Sequence, residues 1–206
     1  MRLINVETYE LEEFIGSQTP EYAILSHRWG PEEVSFQEWQ TGHDRIKHKT
    51  GYGKIDGACK EAIAGGYKYL WCDTNCIDKS SSAELSEAIN SMFAWYRDAR
   101  ICYVYLDDVE LKGDLEREKF DTCAPSFRES KWFTRGWTLQ ELLAPKELTF
   151  FSNDWKRLGS RKMIASTISQ ITQIPKDQLE QYRQDKTSVA ARMSWAATRK
   201  TTRLEE

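Results

Sequence analysis

The segment that decides the fold is YKYLWCDTNCIDKSSSAELSEAINSMFAWYRDARICYVYL, residues 67–106. Its two ends, residues 67–72 and 101–106, are short apolar and aromatic runs that predict buried strands. Between them, Ser81-Ser-Ala-Glu84 matches a capping box, in which a serine hydroxyl and a glutamate carboxylate bind free backbone N–H groups at the start of a helix. We predict that this helix reaches Ala99, because apolar side chains recur every three or four residues. They are Leu85, Ala88, Ile89, Met92, Phe93 and Tyr96.

The alternation of strands and helices continues on both sides of this segment. Residues 22–26 (YAILS) predict a strand that opens into a turn, and residues 54–64 predict a helix that stops at Gly65-Gly66. Further along, residues 137–143 predict a helix ended by Pro145, and residues 148–151 (LTFF) predict a strand. Alternating strands and helices with short connections predict an α/β fold, a mostly parallel sheet flanked by helices.

After residue 160 the pattern is entirely helical. Helices are predicted over residues 161–171, 176–183 and 188–199. No internal repeat and no linker rich in Gly, Ser or Pro separates them from the sheet. We therefore predict one unit, with a sheet domain at residues 1–159 and a helical C-terminal extension at residues 160–206, cut from a longer chain.

Composition excludes several classes of protein. The 206 residues carry 29 Lys and Arg against 32 Asp and Glu, a net charge of 29 − 32 = −3, and no basic block that would bind nucleic acid. No apolar run approaches the ~18 residues that span a membrane, and the N-terminus lacks a signal-peptide core. We predict a cytoplasmic protein with reduced, buried thiols, because its five cysteines are odd in number and irregularly spaced. They are Cys59, Cys72, Cys76, Cys102 and Cys123.

Chemically active side chains follow or precede the predicted strands, and ligand sites of parallel sheets lie at the carboxyl ends of the strands. The candidate binding residues are Ser26, His27, Arg28, Trp29, Asp73, Arg135 and Trp137. Glu141 lies four residues after Trp137 and therefore on the same helix face. A carboxylate beside an indole is partly desolvated, which raises its pKa. Such a group suits hydrogen bonding to a sugar hydroxyl or stabilisation of a developing cation.

Other roles for these residues stay open. Glu141 also fits an exposed helical glutamate, and His27 fits a loop histidine with an ordinary hydrogen bond. Cys76 and His27 could form a nucleophilic pair. Cys72 and Cys76 could also bind a metal together with His27 or Asp73.

Asp73 and Asp78 form a further candidate pair. Two carboxylates after a strand could bind Mg²⁺, although Asp at such a junction is also a common turn and capping residue. The sequence contains neither GxxxxGK[ST] nor GxGxxG, so it predicts no standard nucleotide-binding loop. We expect no bound metal.

Three ordered blocks resemble the fungal heterokaryon-incompatibility (HET) domain. They are YAILSHRWG at residues 22–30, YLWCDTNCIDK at residues 69–79 and RGWTLQELLAP at residues 135–145. The segment SVAARMSWAA at residues 188–197 resembles the part that follows in HET proteins. The resemblance implies a role in nonself recognition and programmed cell death after fusion of incompatible fungal cells. It also implies a NACHT-type nucleotide-binding module as a partner region in a full-length protein.

HET domains are in turn similar to TIR domains, which have a flavodoxin-like sheet. AILS at residues 23–26 resembles the first TIR strand, and the W-x-x-x-E spacing of Trp137 and Glu141 resembles a TIR helix motif whose Glu is catalytic in NAD-cleaving members. This resemblance implies that residues 1–159 form a TIR-like HET domain. It also implies that Glu141 is the catalytic carboxylate, that Trp137 shapes the pocket and that residues 26–29 line the nucleotide site.

The leading hypothesis is that the chain hydrolyses NAD⁺ at the nicotinamide–ribose bond when it self-associates. NAD⁺ is then the substrate, and no other cofactor is expected. Glu141 would hold the ribose and stabilise an oxocarbenium-like transition state. Trp29 or Trp137 would stack on a ring, and Arg28 or Arg135 would lie near the diphosphate.

Two alternatives belong to other classes. The first is a non-enzymatic death-signalling module that acts by homotypic assembly, with Trp95 and Phe127 as candidate interface residues. The second is a nuclease or other phosphodiesterase that uses Asp73, Asp78 and a metal.

Overall fold

Seven strands form one sheet in the described part of the chain, which in this computed structural model comprises residues 1–111, 125–182 and 187–201. They are β1 (Arg2–Asn5), β2 (Leu11–Glu13), β3 (Ala23–His27), β4 (Tyr69–Trp71), β5 (Ile101–Tyr105), β6 (Leu148–Phe151) and β7 (Arg157–Ser160). Their order across the sheet is β2-β1-β4-β3-β5-β6-β7. The predictions for Cys123 and for the end of the helix over residues 176–183 lie outside the described residues.

The centre of the sheet is parallel, which confirms the predicted α/β class. Strand β3 pairs with β4 on one side and with β5 on the other, and β5 pairs with β6, all in parallel. The chain therefore runs first to one side of β3 and then to the other, as in doubly wound sheets of flavodoxin-like order. In such sheets ligands bind at the carboxyl ends of the strands, where the winding reverses. Here the winding reverses at β3, whose neighbours are β4 and β5.

Three antiparallel strands at the edges were not expected from the sequence. Strand β1 pairs with β4 and with β2, and β7 pairs with β6. Strand β2 has only three residues, two of them glutamates, and β7 contains Gly159 at a φ of 151°. Such short segments have too few alternating apolar residues to give a strand pattern.

Helices flank the sheet where the longer periodic patterns predict them. They are α1 (Phe36–Gln40), α2 (Thr50–Ala64), α3 (Ser82–Asp98), α4 (Pro125–Glu129), α5 (Thr138–Leu143), α6 (Ala165–Thr172), α7 (Lys176–Glu180) and α8 (Val189–Ala197). Within the described ranges, 3₁₀ turns are added at Gly16–Gln18, His43–Arg45 and Lys131–Thr134. The last three helices, α6 to α8, form the predicted C-terminal flank. Among the described residues, no helix is both long and apolar enough to cross a membrane.

Helix α3 begins at the predicted cap, but only half of the capping box forms. The Ser81 hydroxyl accepts the backbone N–H of Glu84 at 3.3 Å. The Glu84 carboxylate instead accepts the backbone N–H of Asp78 at 2.8 Å and pairs with Arg2 of β1. The backbone N–H of Ser81 is already bonded to the carbonyl of Asp78, so the reciprocal bond has no free donor. Glu84 thus joins the start of α3 to the edge of the sheet.

A cluster of aromatic rings fills the core between the sheet and the helices that carry the site. Phe127, Trp132 and Phe150 are fully buried, and the rings of Phe127 and Trp132 each meet those of Phe133 and Phe150 edge to face. The expectation that Phe127 is an exposed interface residue is therefore wrong, because the ring packs against Phe150 of β6. Trp95 is partly buried, with its ring centroid 5.4 Å from that of Trp71.

The described cysteines confirm the predicted buried thiols. Cys59, Cys72, Cys76 and Cys102 are all free and buried. Burial raises the pKa of the Cys72 thiol to about 12 and raises the pKa of Cys76 and of Cys102 well above the ordinary value. These side chains therefore pack as small apolar groups.

Candidate functional site

A pocket of about 100 Å³ opens where β3 and β4 end. Its walls come from the two strand ends, from the apolar face of α3 and from α5 with the residues just before it. The lining residues are His27, Trp29, Asp73, Ile77, Lys79, Leu85, Ile89, Met92, Tyr96, Arg135, Trp137 and Glu141. The structure therefore brings together most of the site residues predicted from the sequence.

Glu141 is buried, with 7% of its surface exposed, and it is bonded to the strand end. The hydroxyl of Ser26, the last residue but one of β3, donates a hydrogen bond to Glu141 Oε2. The same hydroxyl accepts a hydrogen bond from the indole Nε1 of Trp132 at 2.9 Å. Ser26 thus lies beneath the pocket as a support for the carboxylate, and it does not line the pocket itself.

Burial raises the pKa of Glu141 to about 8. The negative charge of Asp73 raises it further, whereas the Ser26 hydrogen bond and the cations Arg135 and Arg199 lower it. Loss of water thus outweighs the nearby positive charge. Near neutral pH, the site contains both the protonated and the ionised form of this acid.

His27, the last residue of β3, lies between two carboxylates. Its Nε2 is 3.5 Å from Glu33 Oε2 and 3.9 Å from Asp73 Oδ1, and its ring is almost fully buried. Within the described residues, neither ring nitrogen makes a geometrically sound hydrogen bond. Burial acts to raise the pKa of Glu33, but His27 and the ion pair with Lys54 lower it to about 2. Glu33 therefore stays ionised beside the ring.

Trp29 forms the open rim of the pocket and is held in place from two sides. Its Nε1 donates to Asp73 Oδ2 at 2.8 Å, and the Lys79 amine lies 4.3 Å from the centre of its ring. The same amine donates to the backbone carbonyl of Asp73 at 2.6 Å. These contacts fix a flat aromatic surface that is 40% exposed at the entrance.

The two predicted arginines differ in position. Arg28 donates to Asp107 at 3.2 Å and to Asp108 at 3.4 Å, so its side chain points to the end of β5 and is not part of the pocket lining. Arg135 does line the pocket and lies close enough to lower the pKa of Glu141. Arg135 is therefore the better placed of the two to meet an anionic group.

Several residues that support the site were not identified from the sequence, and Trp132 and Arg199 are the two that act closest to Glu141. Trp132 supports Ser26, and Arg199, just after α8, donates to the backbone carbonyl of Arg135 at 3.1 Å and to Thr138 Oγ1 at 2.9 Å. Burial lowers the pKa of Arg199 to about 10, although Glu141 acts to raise it. The sequence signal for each was its position, since Trp132 lies three residues before RGWTLQELLAP and Arg199 lies two residues after SVAARMSWAA.

Among the residues that the structure describes, one group of side chains has ligand atoms close enough together to be tested as a metal site. Ligand atoms of His27, Cys72 and Asp73 lie within 4.8 Å of one another. The thiol of Cys72 contacts Thr74 Oγ1 at 3.1 Å, and its raised pKa keeps it protonated, whereas a metal needs the thiolate. The fit to a metal is therefore poor, and the absence of a metal stays a prediction.

The structure does not join the other candidate pairs. Asp78 accepts hydrogen bonds from Gln37 and Ser80 and is not among the residues that line the pocket. Cys76 is buried behind the strand end, with its sulfur 3.4 Å from the backbone nitrogen of Cys72. The pocket is therefore lined neither by the carboxylate pair of Asp73 and Asp78 nor by the thiol–imidazole pair of Cys76 and His27.

Comparison with known proteins agrees with the blocks seen in the sequence. The family model described as heterokaryon incompatibility protein (HET) matches residues 22–126. The chain is similar to vegetative incompatibility protein HET-E-1 of Podospora anserina, with 49% identity over 190 residues, which cover 91% of this chain. The chain spans only 14% of the length of that protein, and no solved structure matches the chain significantly. This chain belongs to the heterokaryon incompatibility (HET) family.

Proposed function

We propose that the chain is a cell-death effector domain that cleaves NAD⁺ at the bond between nicotinamide and ribose. The observation that carries the proposal is Glu141, a buried carboxylate on the wall of a strand-end pocket that also contains Trp137 and Arg135. Family membership, and a relative named for vegetative incompatibility, support the role in incompatibility. The similarity of the W-x-x-x-E spacing to the TIR helix motif supports the reaction.

The reaction requires a negative charge beside the ribose and does not require a general acid. The bond between C1′ of the ribose and the nicotinamide nitrogen breaks, and its electron pair leaves with the nitrogen. Water then adds its oxygen to C1′ and releases a proton, so NAD⁺ and water give ADP-ribose, nicotinamide and H⁺. Because the cationic ring leaves as a neutral molecule, no general acid is required. An ionised Glu141 stabilises the positive charge that develops on the ribose.

The pKa of Glu141 predicts the pH dependence of this reaction. Only the ionised form stabilises the cation, and half of Glu141 is ionised at about pH 8. We expect kcat/KM for NAD⁺ to rise with pH and to level off above about pH 9. Nicotinamide release between about pH 6 and pH 9.5 tests this, and a rate that falls over this range would contradict a role for the carboxylate.

The direct test is NAD⁺ consumption by the purified chain at high protein concentration, with nicotinamide detected by chromatography. We expect Glu141→Gln to lose at least about 100-fold in rate, since it keeps the shape of the side chain but removes its charge. Glu147→Gln is the matched control, because Glu147 is exposed and pairs with Lys162 at the surface. A Glu141→Gln enzyme with the wild-type rate would exclude this mechanism.

The alternative of a non-enzymatic assembly module gains support from α8. Val189 and Met193 lie four residues apart on this helix and are 61% and 67% exposed. An exposed apolar pair on one helix face is suited to contact with another protein. Killing of fungal cells that express the chain separates the two functions. A scaffold would still kill with Glu141→Gln, whereas an enzyme would not.

A further inference from the structure

A second cavity, of about 450 Å³, adjoins the Glu141 pocket. Trp137 lines both cavities, and the other walls of the second one come from α3, from α5 and Gly136 before it, from α8 and the residues after it, and from Tyr182. We call this cavity the α8 groove. Of its lining residues, only Trp137 and Arg199 also belong to the site around Glu141.

The α8 groove has unbalanced positive charge. Arg192 and Arg199 both line it, and none of its described lining residues is Asp or Glu. Arg199 is bonded to a backbone carbonyl and a hydroxyl and forms no ion pair in the described part of the chain; Glu141 acts on it only from a distance. A ligand with negative charge would supply the counter-ion that these arginines lack.

Two buried donors in the groove also lack acceptors. Nε of Arg192 and Nε2 of Gln140 are shielded from solvent, and neither makes a hydrogen bond within the described residues. Leaving a buried donor unpaired costs about 1–3 kcal/mol. Such groups are rare in folded proteins unless water or a ligand pairs with them.

The remaining walls are flat and aromatic. Phe93, Trp137 and Tyr182 line the groove together with two leucines of α5. Aromatic side chains stack on nucleobases, and paired arginine donors bind phosphate oxygens. We infer that the α8 groove binds a nucleoside diphosphate.

This inference deepens the proposed function and rests on it for the identity of the complete ligand. A pocket of about 100 Å³ is too small for a dinucleotide, since ligand sites typically measure about 300–1,000 Å³. With the nicotinamide riboside at Glu141, the ADP half of the same molecule occupies the α8 groove. Trp137 then lies at the junction of the two halves.

Calorimetric titration of the purified chain with ADP tests the groove without any cleavage. We expect Arg192→Gln to weaken ADP binding roughly tenfold or more, as for the loss of a charge-assisted hydrogen bond. The matched control is Arg128→Gln, because Arg128 is exposed and bonds Gln170 outside the groove. We expect that control to bind ADP like the wild type. Thermal melts of both variants verify that they are folded.

The outcomes for the groove and for the reaction can be told apart. Glu141→Gln should bind ADP with wild-type affinity, because ADP contains no nicotinamide riboside. If wild type binds ADP through Arg192 but releases no nicotinamide, the groove is supported and NAD⁺ cleavage is withdrawn. If folded wild type does not bind millimolar ADP, or if Arg192→Gln binds it equally well, the inference is overturned, whatever the rate of NAD⁺ cleavage.

Discussion

Glu141 illustrates how a single side chain can be buried and still able to titrate. Its direct hydrogen-bond partner is the neutral hydroxyl of Ser26, and the cations Arg135 and Arg199 act on it without forming an ion pair in the described structure. The carboxylate therefore keeps much of the penalty of burial, and its pKa rises. A closer arginine would fix the charge and remove the sensitivity to pH.

Stability should fall as pH rises because of this residue. The pKa of Glu141 is about 8 in the folded chain against an ordinary value of 4.5, so the folded state binds the proton more tightly. The resulting stabilisation is complete below pH 4.5 and is lost as pH rises through 8. Between about pH 5 and pH 9 we expect the free energy of unfolding to fall by on the order of 4 kcal/mol more in wild type than in Glu141→Gln.

Urea denaturation of both proteins at each pH measures this difference. Glu33, a partly buried acid near the site, titrates below this range, because its pKa is lowered to about 2. Its effect on the free energy of unfolding is therefore the same in both proteins. Parallel curves for wild type and Glu141→Gln would show that the pKa of Glu141 is not raised.

The hydroxyl of Ser26 links an indole to this carboxylate, so its removal should affect both. Ser26→Ala leaves Trp132 Nε1 buried without an acceptor and removes the hydrogen bond to Glu141. We expect a loss of about 1–3 kcal/mol in stability and a further rise in the pKa of Glu141. Thermal melts and the pH profile of nicotinamide release measure the two effects. The exposed Ser86→Ala on α3 should change neither, and an equal response in both variants would contradict the link.

At the scale of elements, α3 forms one wall of the pocket, and its position depends on its first turn. The Ser81 hydroxyl caps the helix, and Glu84 connects that turn to Arg2 of β1. The periodic apolar face of α3 thus has two environments. Ala88 is buried and does not line the Glu141 pocket, whereas Leu85, Ile89, Met92 and the buried Tyr96 line it.

Loss of the helix cap should therefore weaken the fold modestly. We expect Ser81→Ala to lower the free energy of unfolding by about 1 kcal/mol, because a backbone donor loses its partner. Ser82→Ala, one residue into the helix and exposed, should have almost no effect. Chemical denaturation of both variants measures the difference, and equal stabilities would mean that the serine hydroxyl is not the cap.

At the scale of the whole molecule, the proposed self-association predicts that activity depends on protein concentration. We expect nicotinamide release per chain to fall on dilution. We also expect Met193→Asp to require a higher protein concentration for the same rate, because a charge on the exposed apolar face of α8 disfavours contact with a second copy of the chain. Light scattering at matched concentrations reports association. The exposed Glu180→Ala on α7 serves as the surface control. Constant activity per chain over a wide dilution series would contradict activation by self-association.

The sequence by itself determined the α/β class, the four parallel strands, the main helices and the strand ends at which the site forms. These follow from local periodicity, caps and turns, and from the general rule that parallel strands place their carboxyl ends along one edge. The short strands β1, β2 and β7 gave no such periodic pattern of apolar residues. Only the tertiary structure decided that three distant residues form one chain of hydrogen bonds. Ser26 bonds Glu141, 115 residues away in the sequence, and Trp132 bonds Ser26, 106 residues away. It also decided that Arg28 lies outside the pocket while Arg199 approaches it, because side-chain direction and burial depend on packing between distant elements.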